Sequence, residues 1–88
     1  MKNDVYSAFG NDVRVKLMLC LSKRPKNVTE LINNCGLAQS AVSQHLSKLK
    51  GAGFVDYRKE GKEVYYRLKH KKITDIAELM VSLEKEMR

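Results

Sequence analysis

The chain has 88 residues, of which 17 are Lys or Arg and 10 are Asp or Glu, giving a formal net charge of +7. This length fits one small domain, so we expect residues 1–88 to form a single unit. No apolar run approaches the roughly 18 residues that span a bilayer. The positive charge favours a polyanionic partner, most often nucleic acid, although an anionic membrane surface also fits charge alone.

The N-terminal residues and the cysteines predict a cytoplasmic protein. The opening MKNDVYSAFG contains no apolar stretch typical of a signal peptide. Cys20 and Cys35 form neither a CxxC motif nor a recognisable disulfide framework. We therefore expect an intracellular, reduced protein whose cysteines are structural thiols on apolar helix stripes.

Three helices are predicted in the first part of the chain. NDVYSAF favours a short helix that Gly10 ends. Residues 11–22 favour a second helix before Pro25, with one apolar stripe formed by Val13, Leu17, Cys20 and Leu21. Asn27 and Glu30 have capping-box spacing at the start of a third helix, which Gly36 ends.

The segment LAQSAVSQHLSKLKGAGFV, residues 37–55, predicts a fourth helix that is unusually rich in Ser and Gln. It begins near residues 38–40 and ends at Gly51 or Gly53. At helical spacing, one face is apolar and consists of Val42, Leu46 and Leu49. The opposite face carries Ser40, Ser43, Gln44, Ser47 and Lys48.

After Gly53 the pattern changes to that of strands. FVDYRK and EVYYRL are rich in β-branched and aromatic residues, and EGK between them predicts a turn at Gly61. The aromatic residues could form a base-stacking platform, but strand aromatics more often pack across strands. We expect packing for Tyr66 and leave Tyr65 open.

ITDIAELMVSLEKEM then predicts a last helix. The element order is α-α-α-α-β-β-α, a mainly α fold with a β-hairpin wing (α+β). Its third and fourth helices are joined by a tight turn, as in a helix-turn-helix.

Such a helix presents its N-terminal residues to base edges in the major groove. Gln pairs bidentately with adenine, and Ser donates to or accepts from several bases. A merely solvated helix surface would more often use Glu and Lys. We therefore interpret four residues as a reading face: Gln39, Ser40, Ser43 and Gln44.

The residues VTELINNCGLAQSAVSQHLSKLKGAGFVDYRKEGKEVYYRL resemble the winged helix-turn-helix of the ArsR/SmtB family of repressors. FGNDVRVKLMLCL resembles the family's first two helices more loosely. The resemblance implies a homodimeric DNA-binding repressor. Two recognition helices of such a dimer would meet successive major grooves, which predicts an inverted-repeat operator. By matching position it implies DNA contacts from the reading face and from the hairpin residues Arg58, Lys59 and Lys62.

Two further residues of the fourth helix are assigned to the DNA interface. His45 lies at the border of the polar and apolar faces, where we expect a half-buried ring with a backbone or phosphate partner. Lys48 continues the polar face toward the C-terminus and can contact a phosphate.

The last helix predicts a dimer interface, as the resemblance also implies. Its apolar residues are spaced as a seam of about two heptads: Ile73, Ile76, Met80, Leu83 and Met87. Leu79 and Val81 broaden this surface, and a domain of this size is poorly stable with an exposed apolar helix. The alternative is a wholly intramolecular seam. The predicted interface comprises Val5, Phe9, Ile76, Met80, Leu83 and Met87.

No cofactor or metal site is predicted, and the effector is unknown. The family's thiolate site would require cysteines near Asn27, and its other site would require histidines after Ile73; the chain has neither. Nucleophile elbows, phosphate loops and HExxH motifs are also missing, so we predict no enzyme. The competing function is a protein–protein adaptor built on the same fold.

Overall fold

The computed structural model describes residues 4–88 as five helices and one antiparallel hairpin. The elements are α1 (Val5–Phe9), α2 (Asp12–Leu21), α3 (Val28–Cys35), α4 (Gln39–Gly51), β1 (Val55–Glu60), β2 (Glu63–Leu68) and α5 (Lys71–Glu86). The predicted order and fold class are confirmed. The first residue of the NDVYSAF prediction lies outside the described residues. Between residues 4 and 88, each helix is too short or too polar to cross a membrane.

The helix termini are held as the sequence predicts. The Asn11 side chain accepts hydrogen bonds from the backbone N–H groups of Val13 and Arg14 and so caps α2. At α3, the Asn27 side chain accepts from the Glu30 N–H at 2.8 Å, and the Glu30 carboxylate accepts from the Asn27 N–H at 3.1 Å. Hydrogen bonds from Arg24 and from the Asn27 backbone lower the pKa of Glu30. The two reciprocal hydrogen bonds between Asn27 and Glu30 fix the residue at which the helix-turn-helix begins.

Helix α2 lies at the centre of the fold, packed against every other helix and against β2. The predicted apolar stripe on α2 is incomplete: Leu17 and Leu21 are buried as expected, but Arg14, Val15 and Met18 are buried as well. A helix with neighbours on several sides must bury several of its faces. The rest of the core comes from α1, α3, α4, β1, α5 and Phe54.

The hairpin of β1 and β2, which we call the wing, is joined by the two-residue turn Gly61–Lys62. Gly61 has a φ of 63°, as predicted for this position. Tyr66 packs against the core and lies opposite Tyr57, with ring centroids 6.0 Å apart. The expected packing of Tyr66 is confirmed.

Lys26 connects the wing to the helical part of the fold. Its backbone N–H donates to the Tyr66 carbonyl at 3.0 Å and its carbonyl accepts from the Tyr66 N–H at 2.8 Å. The side chain is buried and donates from Nζ to the Cys20 carbonyl at the C-terminal end of α2. Burial is the main cause that lowers the pKa of Lys26. The orientation of the wing is therefore fixed by bonds from both the backbone and the side chain.

Cys20 and Cys35 form a disulfide, so the expectation of reduced thiols outside any disulfide is wrong. The two cysteines lie near the C-terminal ends of α2 and α3, and packing of these helices places their Cα atoms 6.5 Å apart. That distance lies within the range a disulfide spans. The spacing of the two cysteines in the sequence did not reveal the disulfide, because the packing of α2 against α3 brings them together.

Reducing this disulfide is expected to lower the free energy of unfolding by about 3 kcal/mol, the value for a closed loop of roughly 15 residues. The measurement is urea unfolding at one fixed protein concentration, with and without a thiol reductant. A Cys20→Ser, Cys35→Ser double variant should unfold like the reduced protein and be insensitive to reductant. Identical unfolding midpoints for the oxidised and reduced wild-type protein would contradict this prediction.

Candidate nucleic-acid interface

Helix α4 divides into a buried face and an exposed face, as its sequence predicts. Val42, Leu46 and Leu49 are buried in the core. The four residues of the reading face are all exposed, and so are Ser47 and Lys48. The structure therefore brings Gln39, Ser40, Ser43, Gln44 and Lys48 together on one accessible surface of α4. Their contact with DNA stays a prediction.

The electrostatics of α4 suit an anion near its start. The N-cap residue, Ala38, makes no side-chain hydrogen bond to the first turn, and that turn contains no acidic residue. Among residues 4–88, no side chain accepts from the N–H groups of this turn, which carry the positive end of the helix dipole. The last turn adds the positive charges of Lys48 and Lys50. A backbone phosphate could be bound at either end of the helix.

The wing contributes basic side chains of two kinds. Lys59 and Lys62 are exposed and form no ion pair among residues 4–88. Arg58 is also exposed, but its guanidinium lies 2.9 Å from the Glu60 carboxylate. Because this acid offsets its charge, Arg58 is a weaker candidate for phosphate binding than the two lysines. Arg58 and Glu60 are two residues apart in β1 and therefore share a face of the strand, which was the signal for this ion pair in the sequence.

A contact between α4 and the wing was missed by the sequence analysis. The Lys50 ammonium group lies 4.2 Å from the ring centroid of Tyr57, a cation–π interaction. Tyr57 is exposed on the wing surface and Lys50 lies in the last turn of α4. The contact joins the two elements assigned to DNA. Tyr65, whose role the sequence left open, is half-buried opposite Arg58.

His45 is half-buried, as expected from its position between the two faces of α4. Its protein partner is a side chain and not the expected backbone group. Nδ1 of the ring lies 3.1 Å from a terminal nitrogen of Arg14 on α2. The sequence contained a signal for a buried Arg14, because it stands at i, i+3, i+4 and i+7 spacing with Leu17, Met18 and Leu21.

Helix α5 presents an apolar surface to solvent. Ile73 and Ala77 are buried and Val81 packs on the core, so the predicted seam turns inward only at Ile73. The exposed side chains, which we call the apolar face of α5, are Ile76, Leu79, Met80, Leu83 and Met87. Leu79 is 69% exposed and Leu83 is 58% exposed.

Helix α1 lies against the same core, but it presents a different residue from those predicted. Val5 and Phe9 are half-buried and pack on the protein's own core, where the Phe9 and Phe54 ring centroids are 5.1 Å apart. Tyr6 is 90% exposed and was missed. The participation of Val5 and Phe9 in a dimer stays a prediction.

The described residues contain no group of three or more His, Cys, Asp or Glu side chains placed to bind a metal ion. Cys20 and Cys35 are joined to each other, and His45 is bonded to Arg14. Asp75, near the start of α5, pairs with Lys71 at 3.2 Å. The geometry assigns no effector site to these residues.

Comparison with known proteins identifies the relatives of this chain. The sequence profile described as bacterial regulatory protein, arsR family, matches residues 11–57. The transcriptional activator HlyU of Vibrio cholerae is 36% identical over 73 residues, which cover 83% of this chain and 68% of HlyU. Across the first three curated relatives the chain spans 49% to 68% of their length.

Two solved structures show the same architecture. The crystal structure of HlyU from Vibrio vulnificus CMCP6 has a TM-score of 0.77 at 37% identity, covering 90% of this chain and 82% of that one. The solution structure of the homodimeric winged helix-turn-helix DNA-binding domain of Mb0332 from Mycobacterium bovis has a TM-score of 0.78 at 25% identity. It covers 94% of this chain and 77% of the Mb0332 fragment.

Proposed function

The chain belongs to the arsR family of bacterial regulatory proteins, and on that premise we propose how it regulates transcription. It binds double-stranded DNA as a twofold homodimer, reads an inverted repeat through α4, and represses by occupying that operator. The observation that carries this proposal is the exposed, uncharged Ser/Gln face of α4, which is followed by Lys48 and Lys50 on the same helix. The contact between Lys50 and Tyr57 joins this helix to the wing, whose tip carries exposed lysines.

The side chains on this surface suit two different tasks. The reading face offers hydrogen bonds without charge, which is the chemistry of base edges in the major groove. Lys48, Lys59 and Lys62 offer positive charge, which positions a protein on the phosphate backbone without reading sequence. Solubility alone would not require uncharged side chains at the start of α4 and lysines at its end and on the wing.

The homodimer is proposed from the apolar face of α5. An exposed helix face of this kind on a small protein favours association, and a twofold interface uses the same patch on both copies. Tyr6 adds an aromatic side chain of the sort enriched at interfaces. Two recognition helices related by a twofold axis would enter successive major grooves of the DNA.

We further propose a single domain over residues 1–88, action in the cytoplasm, and neither catalytic activity nor a membrane partner. These proposals rest on the chain's membership of a family of regulators and on the exposed surface of α4 that we assign to DNA. A cytoplasmic location would expose the Cys20–Cys35 disulfide to thiol reductants. DNA binding should therefore be measured in the oxidised and the reduced states.

Duplex binding is tested by the salt dependence of affinity for a random-sequence duplex. We expect a steep fall of log K with log salt concentration, because bound lysines release counterions from phosphates. Replacing Lys59 and Lys62 with Gln should reduce the slope by about one for each phosphate that is no longer neutralised. Arg58→Gln should change it less, because Glu60 already offsets that charge. A shallow wild-type slope, unaffected by the double replacement, would favour the adaptor function instead.

A further inference from the structure

Arg14 is a buried cation whose partners come from two other helices. The residue is only 9% exposed. Its Nε donates to the Ala8 carbonyl at 3.1 Å and a terminal nitrogen donates to the Ser7 carbonyl at 2.8 Å. The other terminal nitrogen lies 3.1 Å from Nδ1 of His45. No ion pair within residues 4–88 includes Arg14, so carbonyls of α1 and one imidazole of α4 hold its charge.

The hydrogen bond between Arg14 and His45 fixes the tautomer of the imidazole. A guanidinium group has five N–H donors and no acceptor. Nδ1 of His45 must therefore accept, which requires a neutral ring with its proton on Nε2. The alternative Nδ1–H tautomer, like the protonated ring, would direct an N–H group of His45 at an N–H group of Arg14.

Nε2 of His45 is not fully buried. Within residues 4–88 it makes no hydrogen bond to another protein group, and no buried side-chain nitrogen or oxygen lacks a partner. Because Nε2 is unpartnered, it is not one of the fully buried atoms and keeps some contact with solvent. His45 follows exposed Gln44 directly and lies nearly one helical turn before exposed Lys48. The ring therefore lies next to exposed residues of the surface assigned to DNA.

We propose that Arg14 is a positioning residue for DNA binding: it holds His45 as the Nε2–H tautomer, and that N–H donates to a backbone phosphate. The inference rests on the proposed function and adds to it a residue that does not itself touch DNA. Arg14 locks the ring through Nδ1 and is in turn fixed by the end of α1. Because the donating ring is neutral, the contact contributes a directed hydrogen bond to the phosphate without releasing a counterion.

The tautomer is tested first, on the DNA-free protein, by NMR of the histidine ring nitrogens near neutral pH. The wild-type protein should show His45 with its proton on Nε2. In Arg14→Gln, and in Arg14→Lys if the first variant unfolds, the His45 shifts should move toward a mixture of tautomers. His70, which is exposed between β2 and α5, is the internal control and should not change.

The phosphate contact is tested with two replacements, each of which keeps a hydrogen-bonding group at the position of only one ring nitrogen. In His45→Gln the amide nitrogen reaches the Nε2 position and can donate outward, whereas in His45→Asn the side chain reaches only the Nδ1 position. The probe is a duplex that the wild-type protein selects from a random pool. His45→Asn should bind it about 10-fold to 100-fold more weakly, the effect of removing a hydrogen bond to a charged group. His45→Gln should bind within a few-fold of wild type, and the salt slope should stay unchanged in both.

Three results would decide against the inference. A wild-type His45 that is protonated at Nδ1 would overturn the role of Arg14. Wild-type affinity in a folded His45→Asn variant would overturn the phosphate contact alone, because duplex binding itself would be intact. A wild-type protein that binds no duplex would overturn the proposed function together with this contact.

Discussion

Replacing Leu83 with Glu is expected to convert the protein from a dimer to a monomer and to weaken operator binding in parallel. Leu83 is more than half exposed in the isolated chain, at the centre of the apolar face of α5. Burying one Leu is worth about 1.5–3 kcal/mol. Because a twofold dimer contains two copies of residue 83, the free-energy cost of the replacement is doubled. The dimer dissociation constant should therefore rise by at least about 100-fold. Sedimentation velocity at micromolar concentration measures this change.

A matched control lies one residue earlier on the same helix. Ser82 is exposed and lies about 100° around the helix axis from Leu83, at the border of the apolar face next to Leu79. Ser82→Glu adds the same charge to α5 and should leave the dimer intact. A folded Leu83→Glu variant that sediments like the wild-type protein would show that the interface lies elsewhere. A wild-type protein that is already monomeric would refute the proposed homodimer.

Replacing Ser43 and Gln44 together with Ala is expected to abolish most of the discrimination between the operator and random DNA. Removing each base contact should cost about 1–3 kcal/mol at the operator. Affinity for random duplex should change little, because phosphate contacts from the lysines dominate that binding. Competition titrations at fixed salt measure both affinities.

Two comparisons make this result specific to the reading face. Ser82→Ala removes a hydroxyl group from α5 and should leave both affinities unchanged. Lys59→Gln with Lys62→Gln should lower both affinities by a similar factor. Equal losses of affinity for operator and random DNA in the Ser43, Gln44 variant would contradict base reading by α4.

The elements that the sequence predicts correctly are those with local physical causes. The capping box of Asn27 and Glu30 needs only residues three positions apart, and the turn at Gly61 needs one positive φ. Likewise, the exposed Ser/Gln face of α4 follows from helical spacing against three buried apolar residues. Such features depend on neighbours along the chain and are visible before the chain folds.

The features that the sequence did not predict depend on how the helices pack. Arg14 and Lys26 are charged residues that the fold buries because carbonyl groups of α1 and α2 are placed to accept from them. The disulfide exists because packing brings the ends of α2 and α3 together. Because α2 lies at the centre of the fold, more than one of its faces is buried.

The exposure of α1 and α5 also required the structure. Spacing alone groups Ile73 with the other seam residues, yet only Ile73 turns toward the core. In α1, both Tyr6 and Phe9 are aromatic, and the contact with Phe54 decides which of them is covered. Tertiary contacts therefore define the surface that remains for a partner.

The proposed function is tested most directly by selecting bound fragments from random duplex DNA with the wild-type protein. We expect an inverted repeat whose half-sites lie about 10–10.5 base pairs apart, or a multiple of that distance, because two recognition helices related by a twofold axis enter separate major grooves on one side of the DNA. One dimer should protect both half-sites. Recovery of a single unrepeated half-site, or of fragments with no common sequence, would contradict sequence reading by a twofold dimer.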